Sequence, residues 1–283
     1  MSIKTIKMTL FWMGVVGAMA LSRPGLAQTD WTSQLQQLAE SEQRSAEHLA
    51  RNKYRNPVQT LQFFGLQPDM SVLEIWPAHG WYTEILAPFV KDQGQLTLAQ
   101  FRHNDGSLKD ERSIFWARVS QRLAQRIAEQ ADYFGQPQFA ELDPPLLYPA
   151  TAEQFDLILT FRNAHIWNET GHLADTLHTL FTLLKPGGVL GMVEHRAAKL
   201  SDISSSAVEG YLDESYVIDA AEQAGFKLVA SSEINANQAD SKNYPKGVYA
   251  LPPTLAMGLQ DKALYQAIGE SDRMTLKFVK PAR

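Results

Sequence analysis

The stretch Val72-Leu73-Glu74-Ile75-Trp76-Pro77-Ala78-His79-Gly80-Trp81-Tyr82 constrains the fold more than any other part of this 283-residue chain. It reads as a buried strand that ends in an acid and a tight turn, followed by a helix from about Thr83. In α/β folds such a turn sits where a strand's carboxyl end meets a helix N-terminus, and there it can hold a nucleotide-like cofactor. Three positions of such a turn usually carry glycine. Here only Gly80 keeps it, while Trp76 and Ala78 take the other two.

The chain around this turn alternates strand and helix signals. Residues 31–64 show helical periodicity, broken at Asn56-Pro57. Strands are expected at 71–75, 95–100, 138–142, 155–161, 189–194, 227–232 and 274–279. Helices are expected at 83–89, 169–184 and 214–224, with one long helix over 108–134. In that long helix Phe115, Val119, Leu123, Ile127 and Ala131 share an apolar face, and Arg118, Arg122 and Arg126 form a solvated basic stripe. Lys185-Pro186-Gly187-Gly188 reads as the stop of the helix before the fifth strand. Such alternation predicts a doubly wound, mostly parallel seven-stranded α/β sheet with helices on both faces. Residues 235–269 interrupt it as a looped insertion that either covers a cleft or decorates the surface.

Composition narrows the function classes. Lys4 and Lys7, the apolar residues 8–21 and Gly25-Leu26-Ala27 form a cleavable secretory signal over 1–27. The apolar run, about 14 residues, is short of the roughly 20 that span a bilayer, so no integral membrane segment is expected after removal. One domain over 28–283 is then expected in the periplasm. Cleavage removes three positive charges and no acid, which takes the net charge from -5 to -8 and argues against nucleic acid as a partner. The absence of cysteine excludes disulfides, thiolate metal sites and a cysteine nucleophile. No His-Glu-x-x-His or Gly-x-Ser-x-Gly pattern occurs, so neither a metal site nor a hydrolase elbow is expected. Nothing in the sequence indicates an oligomeric state.

Five segments carry a resemblance: Ile75 to Pro88 (IWPAHGWYTEILAP), Leu159-Thr160-Phe161-Arg162-Asn163, residues 184–190, Val193-Glu194-His195-Arg196-Ala197 and Gly269-Glu270-Ser271-Asp272-Arg273-Met274. In this order they resemble the class I S-adenosylmethionine-dependent methyltransferases, and more narrowly a family of exported predicted methyltransferases with an Ile-Trp-Pro-x-x-Gly-Trp-Tyr segment. The resemblance implies S-adenosylmethionine as cofactor, with Glu74, Trp76, Ala78, Gly80 and Asn163 around its amino-acid half. Gln100 stands where the ribose-binding acid is usual, and it lacks that acid's charge. Asp143 has the spacing of an adenine-contacting loop, and reads equally as a turn aspartate before Pro144.

Methyl transfer needs an aligned nucleophile and, for a hydroxyl or protonated amine, a base. The polar residues ending the fourth and fifth strands are the pool: Arg162, Asn163, His165, Glu194, His195 and Arg196. His165 or His195 is the expected base, with Arg162 or Arg196 holding an anionic group of a small-molecule or envelope substrate. The same acids and arginines also suit a structural ion-pair network. The competing expectation is a catalytically inactive binding protein that keeps the fold, which Ala78, His79, Gln100 and export favour.

Overall fold

The computed structural model describes residues 31–198 and 209–282. The expected signal over 1–27 lies outside them. The sheet runs β4-β3-β2-β1-β5-β6-β8-β7. Its strands are β1 Ser71–Ile75, β2 Gln95–Gln100, β3 Gln138–Asp143, β4 Leu146–Tyr148, β5 Phe155–Phe161, β6 Leu184–His195, β7 Lys227–Ser232 and β8 Arg273–Val279. Strands β1, β2, β3, β5 and β6 pair in parallel, whereas β4 and β8 run antiparallel to their neighbours. The expected mostly parallel, doubly wound sheet is present, with eight strands in place of seven.

The additional strand, β4, is three residues long with two of them exposed, too short for a period-2 signal. It folds back on β3, Asp143 opposite Leu146. Strand β6 begins earlier than expected. Leu184 pairs with Phe155 and Val189 with Leu157, so the Lys-Pro-Gly-Gly residues bulge from a strand.

Alternating side chains of the central strands feed two cores. Leu73, Ile75, Ile158, Leu190 and Met192 pack with Leu177 and Leu180 of the helix Leu173–Leu183 and with Val217 and Ala221 of Glu214–Gln223. Val72, Leu96, Leu98, Leu157 and Leu159 pack on the other face with Leu61, Phe64, Ile85, Leu86, Leu123 and Ile127. Those residues come from the helices α4 Pro57–Phe64, α5 Thr83–Val90 and α6 Glu111–Glu129, preceded in the chain by α1 Thr32–Ala39, α2 Ala46–Ala50 and α3 Asn52–Arg55. Asn56, with φ +39, marks the expected break before Pro57, which takes the first position of α4.

Two helices differ from expectation. The long helix starts where the Asp110 carboxylate accepts the Ser113 N–H, at 2.8 Å, and breaks at Gln130; Ala131–Phe134 follows as a separate turn, α7. Its apolar stripe is buried only at Val119, Leu123 and Ile127, because Phe115 and Ala131 lie beyond the ends of the face it covers. The helix expected over 169–184 is α9, Leu173–Leu183, which starts four residues later; an unexpected short helix, α8 Ala164–Glu169, precedes it, with Gly171 at φ +75 between them. The chain completes with α10, Glu214–Gln223, and α11, Lys262–Ile268. Residues 235–269 hold α11 and a small apolar cluster of Ala250, Leu251 and Tyr265. Among the described residues no helix is long and apolar enough to cross a membrane.

Candidate functional site

After β1 the chain builds outward through β2 and β3, then crosses back to lay β5 on the other side of β1. The strand order reverses between β1 and β5, and loops leaving their carboxyl ends diverge to opposite faces. A crevice at that point is the expected ligand site of an open α/β sheet. The structure has a cleft of about 470 Å³ there. Glu74, Trp76 and Ala78 line it from β1, Arg162, Asn163 and His165 from β5, and His195 from β6.

The β1 turn keeps the backbone of a glycine turn without its glycines. Trp76 and Ala78 have φ +44 and +52, next to Gly80 at +81. L-residues are disfavoured there by roughly 1–2 kcal/mol each, so tertiary contacts must hold the turn. The Trp76 backbone N–H donates to Ala99 O at 2.8 Å and its indole N–H to Leu142 O at 3.1 Å. The indole stacks on Phe101 at 4.4 Å, and Phe101 on Trp116 at 4.8 Å. Gly80 is favoured by its conformation, and a Cβ there would stand 2.6 Å from Leu123 Cδ1 and force that buried side chain to shift. Glu74 is buried and accepts the Thr83 hydroxyl at 2.7 Å; burial pushes its carboxyl up to about 8, so it holds a proton at neutral pH.

Opposite the turn, Glu194 is fully buried and accepts three N–H groups. They are the His165 ring Nδ1 at 2.9 Å and the backbone N–H of His195 and of His165, at 2.7 and 3.2 Å. With the carboxylate accepting at Nδ1, the His165 lone pair is on Nε2, which orients this imidazole as a base. The His195 ring lies 5.3 Å from that of His165, its Nδ1 paired with the Ser271 hydroxyl at 2.6 Å. Burial first, then His165 and the arginines Arg162, Arg273 and Arg55, hold His195 well below its ordinary value, so it stays neutral. The Asn163 amide donates to Ile75 O and Thr160 Oγ1, both at 3.1 Å, and ties the ends of β1 and β5 together.

Several expected residues lie elsewhere. Gly80, Gln100, Asp143 and Arg196 are not among the residues lining the cleft. The Gln100 amide donates to Ser120 O, and Asp143 is exposed 3.7 Å from Arg102. Arg196 sits in a network with Glu214, Glu233 and Asp272, so of the two arginines expected to hold an anion only Arg162 faces the cleft. Arg126, expected on a solvated stripe, pairs with buried Glu84 at 2.6 Å. Trp81 and Tyr82 line the cleft; the Trp81 ring carries the guanidinium groups of Arg44 and Arg55 at 4.8 and 4.7 Å.

The structure also brings in residues that periodicity did not single out. Arg55 arrives from α3, Arg112 and Trp116 from α6, and Glu270 and Ser271 from the segment before β8. Val248, Tyr249, Pro252, Pro253 and Thr254 come from the 235–269 insertion, which therefore forms a wall of the cleft. The signal for Glu270 and Ser271 was the Gly-Glu-Ser-Asp-Arg-Met segment, visible as a motif without a role. Arg55 had none, because one arginine in a short polar helix looks like any surface residue.

His165, Glu194 and His195 each offer a ligand atom within 4.8 Å of the others, spacing open to a metal ion. The charge nearby opposes one. The guanidinium groups that depress His195 would repel a dication at the same place, and both oxygens of Glu194 are already engaged by three N–H donors.

No family model and no curated protein matches the sequence. Solved structures do match in fold. A SAM dependent methyltransferase from Aquifex aeolicus is 14% identical, with TM-score 0.53 over 88% of this chain and 98% of that one. The [4+2]-cyclase SpnF is 15% identical, with TM-score 0.55 over 89% and 94%. A methyltransferase and a cyclase on one fold mean that the reaction has to be argued from the site. The chain has the Rossmann-like fold of the class I S-adenosylmethionine-dependent methyltransferases.

Proposed function

We propose that the protein is an S-adenosylmethionine-dependent methyltransferase acting on a small molecule or envelope component. The observation that carries this reading is the oriented His165–Glu194 pair facing the β1 turn across the switch-point cleft. The amino-acid half of the cofactor fits residues present at that turn: Glu74, the Trp76–Ala78 backbone in its glycine-like conformation, and Asn163. The nucleoside half is offered the aromatic wall of Trp76, Phe101 and Trp116 in place of a carboxylate. When bound, the cofactor supplies an electrophilic sulfonium methyl group.

The chain's own residues do the rest. His165 Nε2 takes the proton from the acceptor hydroxyl or amine, and Glu194 stabilises the imidazolium that forms. Neutral His195, held by Ser271, supplies a fixed hydrogen-bonding neighbour without competing for that proton. Residues of α6 and of the insertion complete the walls around the acceptor position.

A second reading is a methyltransferase-fold binding protein without turnover. It is supported by Gln100 and Asp143 lying off the cleft and by Trp76 occupying the space beside Phe101. Titration of the purified protein with S-adenosylmethionine and S-adenosylhomocysteine separates the two. Micromolar to millimolar binding is expected, and none at millimolar concentration would leave only the second. We propose export to the periplasm through residues 1–27 in either case; N-terminal sequencing of the protein from its native compartment should start near Gln28.

A further inference from the structure

Buried charge on the β8 side of the cleft is out of balance. Glu270 receives Arg51 Nε at 2.6 Å, Arg55 Nε at 3.0 Å and Arg273 Nη1 at 3.1 Å. Arg273 places its other N–H groups on Ser271 O and Tyr54 O. Arg55, itself 3% exposed, leaves Nη2 buried and unpaired. Arg162 adds a further guanidinium. It is half-buried, lines the same cleft and, among the described residues, its side chain has no ion pair or hydrogen bond. Its backbone is held at φ +63, a conformation costly for a long side chain. The other buried acid nearby, Glu194, is taken up by His165 and two backbone N–H groups. Burial draws Arg162 down to about 10, which leaves it charged at neutral pH.

A buried guanidinium nitrogen without a partner is unfavourable, and Arg55 Nη2 set beside the unpartnered, half-buried guanidinium of Arg162 at one cleft wall indicates a counter-charge that arrives with a ligand. We propose that Arg55 and Arg162 bind the carboxylate or phosphate of an anionic small molecule, beside His165 and His195. A planar guanidinium suits either oxyanion, since both accept parallel N–H bonds. The proposal deepens the methyltransferase reading and rests on it only in assigning the anion to the methyl acceptor.

Calorimetric titration of the full chain with inorganic phosphate and with succinate tests it. Millimolar or tighter binding of at least one is expected, weakened at least tenfold in Arg162→Gln and unchanged in Arg122→Gln, an exposed control. Arg55→Lys, which keeps the charge on Glu270 but loses the fork, should weaken it also. Binding should persist at saturating S-adenosylhomocysteine. Failure of both anions to bind, or equal binding by Arg162→Gln, overturns the proposal. Competition by S-adenosylhomocysteine overturns it too, by assigning the arginines to the carboxylate of the cofactor. A protein that binds phosphate but no S-adenosylhomocysteine would sink the methyltransferase reading while the anion site stands.

Discussion

Glu84 and Glu270 are both buried carboxylates surrounded by basic side chains, yet they are built differently. Glu84, on α5, takes Arg44 at 3.1 Å, His48 at 2.9 Å and Arg126 at 2.6 Å. Arg44 spends its remaining donors on Ala39 O, Asn52 Oδ1 and Trp81 O. Burial alone would raise Glu84, and hydrogen bonds from His48 and Arg126 hold it below its usual range. Glu270 is likewise opposed by burial, and the guanidinium groups of Arg55, Arg273, Arg51 and Arg162 pull it down to about 2. The first cluster is closed, with its donors answered inside the protein. The second faces a cleft with donors to spare. A satisfied buried network reads as structure, and an over-supplied one reads as a place for a ligand.

Changes on the two sides should therefore separate stability from activity. The largest effect is expected at His165: His165→Asn should lower methyl transfer by about 10²- to 10⁴-fold while leaving the urea midpoint nearly unchanged. A large fall in the midpoint would mean that the pair with Glu194 is structural. Glu84→Gln should do the reverse. Leaving Arg44 buried beside a neutral amide should cost about 3–5 kcal/mol in urea unfolding, with phosphate and cofactor titrations preserved.

Glu74 is expected to show the opposite pH dependence from Glu84 and Glu270. Folded, it keeps its proton up to about 8, against an ordinary value of 4.5, so its contribution is fully present below pH 4.5 and is lost as pH rises to 8. Glu74→Gln mimics the protonated form. It should match the wild type near pH 5 and exceed it above pH 8 by on the order of a few kcal/mol; parallel pH profiles would show that Glu74 is ionised in the fold. The two lowered carboxylates lose their contribution only as pH falls below 4.5, toward about 2 for Glu270.

Ala78→Gly should relieve the positive φ and raise stability by about 1 kcal/mol, measured by thermal unfolding. Gained cofactor affinity in the same variant would mark the turn as a lost site, and unchanged affinity as an adapted one. The smallest change is expected for the stability of Arg162→Gln, within about 0.5 kcal/mol of wild type. A guanidinium with no internal partner has little to lose. A drop of several kcal/mol would place Arg162 with Arg44, on the structural side of the comparison.

Much of the sheet was legible because hydrophobic periodicity is local. β1, β2, β5 and β7 start and stop where they were expected, at 71–75, 95–100, 155–161 and 227–232. β4 was missed because three residues between prolines carry no period, and α8 because Gly171 ends it after six residues. Glu74, Trp76, Ala78, Arg162, Asn163, His165 and His195 were picked out in the sequence and do line one cleft, since strand ends in this fold converge at the switch point. Gln100, Asp143 and Arg196 sit at or just beyond strand ends as well, but their side chains turn to Ser120, Arg102 and the acids around Asp272.

By itself the sequence determined seven of the eight strand segments, that the sheet is doubly wound, and where the strand-turn-helix that opens the cleft falls. These follow from spacing of apolar residues and from the strand-turn-helix at Glu74. Tertiary structure alone decided which charges are answered. Arg55, Glu270 and Tyr249 lie far apart in the chain and meet only when α3, the segment before β8 and the insertion close around one cleft. Whether a buried arginine is a strut or a hand held out to a ligand depends on every donor and acceptor within about 3 Å of it, and no local pattern encodes that distance.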